Sequence, residues 1–448
     1  MKNSILFFPS HAPTQYEALA KNLQQKQPDI AIKFFLLDKP YSDFSFDYVT
    51  YEELIDSCDE LSSPSELNED LYNCNLNDLF LMDRVHKKGA PKRELLSKYL
   101  FSFKQYLVEN SITHVFGYAL SDSITYGCYH VCQNLGIKYY YVNVTRLSTL
   151  YHLSSSLTGE GETSSLASFS NDEIFELVDT MVNKKITPDY ASDPNMVIKK
   201  SYIKVLQSAF NLLKTRLNVK NKYLDFYPSV LLAIKRFLNR RLSYKELMRK
   251  THDYDAFKDK KYFFYPLHLH PETATLVWGR WLNNQYEILK LIARVLPNEY
   301  ILIVKEHKVA AGRHRRGFYD KIADLPKTIL VDHETNAHDI ISSAKAVVTI
   351  SGTAGFEALC HNKPVLLFGD VDYKCMQNAI QCTDLSKIRF YVNKAINMET
   401  IDIHNDKKFI DYIRLKLNGS VSLDGYSVES TDKKLIEDLT SLYLEKLY

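Results

Sequence analysis

The stretch VTISGTAGFEALCHNKPVLLFG, residues 348 to 369, passes from an apolar strand through a small-residue turn into a short helix and a second apolar strand. Ser351, Gly352 and Thr353 stand where that helix begins. A helix start carries about half a positive elementary charge and free N–H groups, which suit a phosphate. Glycine at 352 and 355 would let a ligand come close to the backbone. Glu357 falls within the first turn, where a carboxylate could accept from ribose hydroxyls. The competing reading is local: Ser351 or Thr353 caps the helix and nothing binds. The Gly-Lys-Ser/Thr ending of a P-loop is absent.

Two other strand ends carry unusual residues. ILIVKEH delivers Lys305, Glu306 and His307, a cation and two hydrogen-bonding groups fit for a donor phosphate, or else an exposed charged loop. YFFYPLHLHPETATLVWG leads into His268, His270, Pro271 and Glu272. A His-x-His pair suggests metal, but no third ligand has suitable spacing, so no metal site is expected. His270 and Glu272 read instead as cleft residues near the reacting centre, with Glu272 as a general base or a partner for a sugar hydroxyl. The alternative is a first helical turn with Pro271 inside it and Glu272 favouring the dipole. In the first half, Asp122 follows the strand THVFGYA and is a candidate base or nucleophile, or a cap for the helix opening at Ser123. Arg146 follows another strand and could bind an acidic sugar or phosphate, and Ser10 and His11 occupy the first strand-to-helix loop on the acceptor side.

The elements that must hold these residues alternate strand and helix in both halves, the signature of parallel sheets. The expected fold class is α/β, with two Rossmann-like domains facing a cleft. Residues 1–255 form an acceptor domain with a helical basic segment at about 171–255. Residues 256–425 form a donor domain, and residues 426–448 form a helix packing at the junction. Ligands of open parallel sheets bind outside the carboxyl ends of strands, where the unusual residues lie.

A chain of 448 residues is long enough for two cores. Its 45% hydrophobic and 25% charged residues describe a globular protein, and the net charge of +2 gives no global pull toward nucleic acid. No run of about 18 apolar residues predicts a spanning helix, and the first residues do not read as a signal peptide. Seven cysteines at irregular spacing read as reduced thiols of a cytoplasmic protein. Between 211 and 250 the chain is locally cationic with apolar residues interleaved. This pattern fits an anionic membrane face or a lipid-linked acceptor, or else a solvated helix face.

The order PLHLHPETAT, then LP.EY.L.VKEH, then VTISGTAGFEAL..NKPVLLFGD resembles the capsule polysaccharide biosynthesis family, which includes transferases of 3-deoxy-manno-octulosonic acid (Kdo). The resemblance covers about 260–375 and implies a GT-B glycosyltransferase that needs no metal or cofactor. Its substrates would be a nucleotide sugar, such as CMP-Kdo or CMP-sialic acid, and a glycan or lipid-linked acceptor. It places Lys305, His307, Ser351, Gly352, Thr353 and Glu357 on donor-binding motifs, and His270 and Glu272 on the loop facing the reacting sugar. The sequence departs from the family pattern with Lys308 where proline commonly follows the histidine, and with His270 where many relatives carry glutamine. Other readings of the same fold are a sugar-nucleotide epimerase, a teichoic-type phosphotransferase, and a non-catalytic assembly partner.

Overall fold

The computed structural model describes residues 3–9, 13–40, 43–58, 75–147, 150–165, 168–185, 207, 221–225, 229–422 and 432–447. The first lobe contains β1 (Ser4–Phe8), α1 (Pro13–Lys26), β2 (Ala31–Leu36), β3 (Asp47–Thr50), α2 (Tyr51–Asp56), α3 (Leu76–Met82), α4 (Lys92–Glu109), β4 (His114–Gly117), α5 (Ser123–Asn134), β5 (Lys138–Val144) and β6 (Leu150–Ser154). Helices α6 (Asn171–Asn183) and α7 (Val230–Lys250) follow. The second lobe contains β7 (Lys261–Pro266), α8 (Thr273–Leu276), α9 (Gln285–Val295), β8 (Tyr300–Lys305), α10 (Phe318–Ala323), β9 (Thr328–Val331), α11 (Ala337–Ser343), β10 (Ala346–Thr349), α12 (Thr353–Cys360), β11 (Val365–Leu367), β12 (Ala379–Gln381), α13 (Ile388–Asn397) and α14 (Lys407–Asn418). The chain ends with β13 (Ser420–Ser422) and α15 (Lys433–Glu445).

Strands such as SILFF in β1 and AVVT in β10 are buried along their whole length, because helices cover both faces of a parallel sheet. The first sheet has the order β13-β6-β5-β4-β1-β2-β3 and is antiparallel only at β6 and β13. The second has the order β12-β11-β10-β7-β8-β9 and is parallel throughout. Hence β10, β7 and β8 are neighbours, and their carboxyl ends open side by side. The fold is α/β with two Rossmann-like lobes, as expected.

The boundaries differ from the expectation. The apolar stripe of α6 (Ile174, Val178, Met181) and Leu247 of α7 lie in cores of the second lobe, so these helices of the 171–255 segment belong with that lobe. Helix α15 does not stop at the junction. Its Leu435, Ile436, Leu439, Leu442 and Tyr443 share a core with β1, β2 and α1, and the Tyr443 ring stands 4.3 Å from that of Phe116. Strand β13 extends the same sheet. Among the described residues no helix is long and apolar enough to cross a membrane.

Candidate functional site

The turn after β10 is partly open: Ser351 and Gly355 are buried, while Gly352, Thr353 and Ala354 are half-buried. Gly352 is the N-cap of α12 and has no side chain to cap the helix. Ser351 is therefore not the local cap that competed with a ligand. Ser351 is nevertheless engaged, since its Oγ donates to the Ala274 carbonyl at 2.7 Å and ties the turn to α8. A free Ser351 hydroxyl reaching for phosphate is not what the structure shows. The glycines also have an internal reason. A Cβ at 352 would lie 2.7 Å from His268 Cε1, and one at 355 would lie 2.5 Å from the Tyr373 hydroxyl. That hydroxyl donates to the Gly352 carbonyl at 2.7 Å, holding the turn from below.

The end of β8 contributes Lys305, whose amine is buried and pulled down to about 8, by burial first and by Lys308 next. Glu357, which falls on the second turn of α12 and not the first as expected, is equally buried, and its carboxyl is pushed up to about 7 by burial against the pull of Lys305. These two opposed shifts have one cause, burial of both groups away from water. His307 is half-buried and neutral in character, its ring lowered by burial. Its Nδ1 accepts the Val309 amide at 3.2 Å, which leaves Nε2–H as the donor. Glu306 departs from the expectation. It is fully buried, and its carboxylate accepts from the His307 amide (2.7 Å) and the Tyr319 hydroxyl (2.6 Å), with His314 Nε2 at 3.3 Å. Burial pushes this carboxyl up, and these partners outweigh it and hold it below its ordinary value. It shapes the loop and is closed to a donor.

The end of β7 carries the loop 267–272. His270 Nδ1 is 2.9 Å from Thr275 Oγ1, and Glu272 is the N-cap residue of α8, with Thr275 Oγ1 accepting its amide at 3.3 Å. Both His270 and Glu272 remain exposed. Burial of the region raises the Glu272 carboxyl, against the pull of Arg313 and Arg84. So the helix-start reading of Glu272 holds for its backbone, while its carboxylate stays available.

The first lobe reaches this loop directly. Arg84 Nη1 donates to the Pro271 carbonyl at 2.8 Å. Its neighbour Asp83 anchors that segment, accepting from Ser123 Oγ (2.9 Å) beside His86 Nδ1 (2.7 Å) and Lys92 (2.5 Å). Trp278 Nε1 donates to the Leu157 carbonyl at 2.9 Å, and Arg280 donates to the Tyr126 hydroxyl. Asp122, expected as a base or nucleophile, is buried and accepts the Ile124 and Thr125 amides, both at 3.0 Å. The cap reading wins there. Arg146, expected to bind an acidic ligand, is also buried. Its Nη1 bridges both oxygens of Asp372 at 2.8 and 3.0 Å, and its guanidinium lies 5.0 Å from the Tyr373 ring. Ser10 and His11 lie outside the described residues.

Sequence reasoning gave no role to Arg84, Tyr373 or Asp372, and left His268 as one member of a loop. Arg84 and Tyr373 have no local pattern that announces a contact across lobes or under a turn. His268 did carry a signal, because it stands just past the carboxyl end of the apolar run YFFYPL.

Residues 182–379 match the family model described as "Capsule polysaccharide biosynthesis protein". The likeness to the capsule polysaccharide biosynthesis family is carried by this region. The matched segment contains β7 to β11, the first residue of β12 and all three strand ends just described. Among curated proteins, the capsule polysaccharide export protein KpsS of Escherichia coli is 36% identical over 92 residues, 19% of this chain and 23% of that protein. Protein FixF of Sinorhizobium fredii is 28% identical over 111 residues, 25% of this chain and 26% of that one. The matches thus span about a quarter of the length of these relatives. Solved structures with a related layout include a KpsC β-Kdo 2,7-transferase of Thermosulfurimonas dismutans (12% identity, TM-score 0.34, 77% of this chain and 90% of that one). A UDP-GlcNAc 2-epimerase of Methanocaldococcus jannaschii is also similar (13% identity, TM-score 0.31, 98% and 100%). At those scores neither bears on what this chain does.

Proposed function

We propose that this chain is a capsule polysaccharide biosynthesis family member and a nucleotide-sugar-dependent glycosyltransferase of bacterial surface polysaccharide assembly. The observation that carries the reading is the convergence of three neighbouring strand ends, β10, β7 and β8, on one uncapped helix start with a buried lysine below it. Sugar transfer breaks the anomeric carbon–oxygen bond, and the electron pair leaves with the phosphate. The amides opening α12, the Nε2–H of His307 and the Lys305 cation would stabilise that charge as it develops. An acceptor hydroxyl forms the new bond and gives up its proton, and the exposed Glu272 is the proposed base. A CMP-activated acidic sugar such as Kdo or sialic acid is the proposed donor, and a glycan or glycolipid the proposed acceptor.

Helix α7 offers a surface for such an acceptor or for the inner face of the membrane. Leu231, Leu238 and Leu242 are exposed, and Lys235, Arg236 and Lys245 stand among them. Exposed leucines interleaved with cations fit an anionic lipid interface. Arg240 is not part of it: its guanidinium donates to the Ala311 (3.2 Å) and Val309 (3.0 Å) carbonyls and braces the loop after His307. Lys214, Arg216 and Lys220 lie outside the described residues.

A thermal-shift panel of CMP, UDP, GDP, ADP and CDP tests the donor assignment. A nucleotide at a hundred times its Kd stabilises by about 2.7 kcal/mol, and CMP should give the largest shift. Release of an altered sugar nucleotide without any acceptor would point to an epimerase instead. No shift with any nucleotide would favour a non-catalytic role.

A further inference from the structure

We infer that His268 is a neutral hydrogen-bond donor to the anion at the start of α12, acting through its Nδ1–H. This rests on reading that helix start as a phosphate cradle. The ring is fixed by its other nitrogen. His268 Nε2 lies 3.1 Å from the Ile350 amide, and a backbone N–H can only donate, so Nε2 must present its lone pair. Thr349 Oγ1 lies 3.0 Å from the same nitrogen and itself accepts the Gly352 amide at 3.1 Å, so its hydroxyl proton also points to Nε2. A neutral imidazole with a bare Nε2 carries its proton on Nδ1.

No described residue hydrogen-bonds to that Nδ1, although the side chain is more than nine-tenths buried. The Nδ1–Cε1 edge lies against Gly352: a Cβ built there would be 2.7 Å from Cε1 and 3.2 Å from Nδ1. The donor edge is therefore placed at the half-buried, uncapped turn where α12 begins. The main chain is held as well, with the His268 amide and carbonyl paired to Gln285 at 2.6 and 3.0 Å. Protonation would set Nε2–H against the Ile350 N–H, in keeping with a ring lowered to about 3 by burial first and by His307 second. The site thus gains a donor that brings no charge and needs no reorientation.

The test uses the full chain with 15N-labelled histidine and long-range 1H–15N correlation, the His268 signals being assigned by their loss in His268→Gln. At pH 7 the expected pattern is protonated Nδ1 and bare Nε2. CMP, and separately inorganic pyrophosphate, should move the Nδ1 proton, and His268→Ala should weaken CMP binding about tenfold or more. If CMP binds while Nδ1 stays still and His268→Ala binds within about twofold of wild type, the donor role falls and the nucleotide reading stands. If pyrophosphate moves Nδ1 and no nucleotide binds, the donor role stands and the nucleotide reading falls. A protonated Nε2, or no response to either probe, overturns the inference whatever the variants do.

Discussion

Arg146 and Asp372, 226 residues apart in the chain, meet between the two lobes with one guanidinium nitrogen bridging both carboxylate oxygens. Lys416 completes the group from α14, and all three side chains are buried. Asp372 Oδ1 also accepts the Tyr373 amide at 2.9 Å, and the Tyr373 hydroxyl holds the Gly352 carbonyl. The ion pair is thus mechanically continuous with the turn that opens α12. Asp372→Asn should leave two buried cations without their carboxylate and cost about 3–5 kcal/mol, read by urea denaturation. Tyr373→Phe should cost only about 0.5–1.5 kcal/mol while weakening nucleotide binding. Equal loss in both variants would break the proposed chain of support.

Glu357 predicts a pH effect of definite sign. Its ordinary value is 4.5 and its folded value about 7, so between those limits the folded chain keeps a proton that the unfolded chain has released. Stability from the neutral acid is complete below pH 4.5 and is lost as pH rises through about 7. Wild type should therefore lose up to about 3 kcal/mol relative to Glu357→Gln between pH 4.5 and 7.5, measured from paired urea curves. A pH-independent difference would place the carboxylate in water.

Glu272→Gln separates chemistry from binding. Its carboxylate is exposed, so stability should change by less than about 0.5 kcal/mol. Turnover should fall about 100-fold or more if it serves as general base. Nucleotide affinity should be unchanged. Wild-type turnover in this variant would withdraw the role.

Helix α7 is tested by combining Lys235→Gln, Arg236→Gln and Lys245→Gln. Each cation near an anionic surface contributes about 1 kcal/mol, so binding to phosphatidylglycerol vesicles should drop more than tenfold at low salt. Arg240→Ala should behave differently. It should lower stability by about 1–3 kcal/mol, because two buried carbonyls lose a charged donor, and leave vesicle binding alone.

The lobes were legible because buried parallel strands are written as uninterrupted apolar runs, and β1, β7 and β10 are such runs. The carboxyl ends of β7, β8 and β10 then located Glu272, Lys305, His307 and Gly352. What stayed hidden was which polar groups were already partnered. Ser351 gives its proton to a carbonyl 77 residues away, and Arg146 finds its carboxylate in the other lobe. Glu306 faces inward because Tyr319 and His314 wait there. Asp122 was ambiguous in sequence because a cap and a base look alike one residue before a helix. Helices α6 and α7 pack on the second lobe while Leu224 between them stays in the first-lobe core, because an apolar stripe shows that a helix packs, not against what.

Strand Ser420–Ser422 and helix Lys433–Glu445 finish a sheet whose other members are made much earlier in translation. A ribosome releases Phe7, Phe34 and Phe116 long before Tyr443 emerges to cover them. The leading portion must wait with an oily flank uncovered, a natural client for holding chaperones. A protease nick between the lobes would likewise separate that flank from its lid.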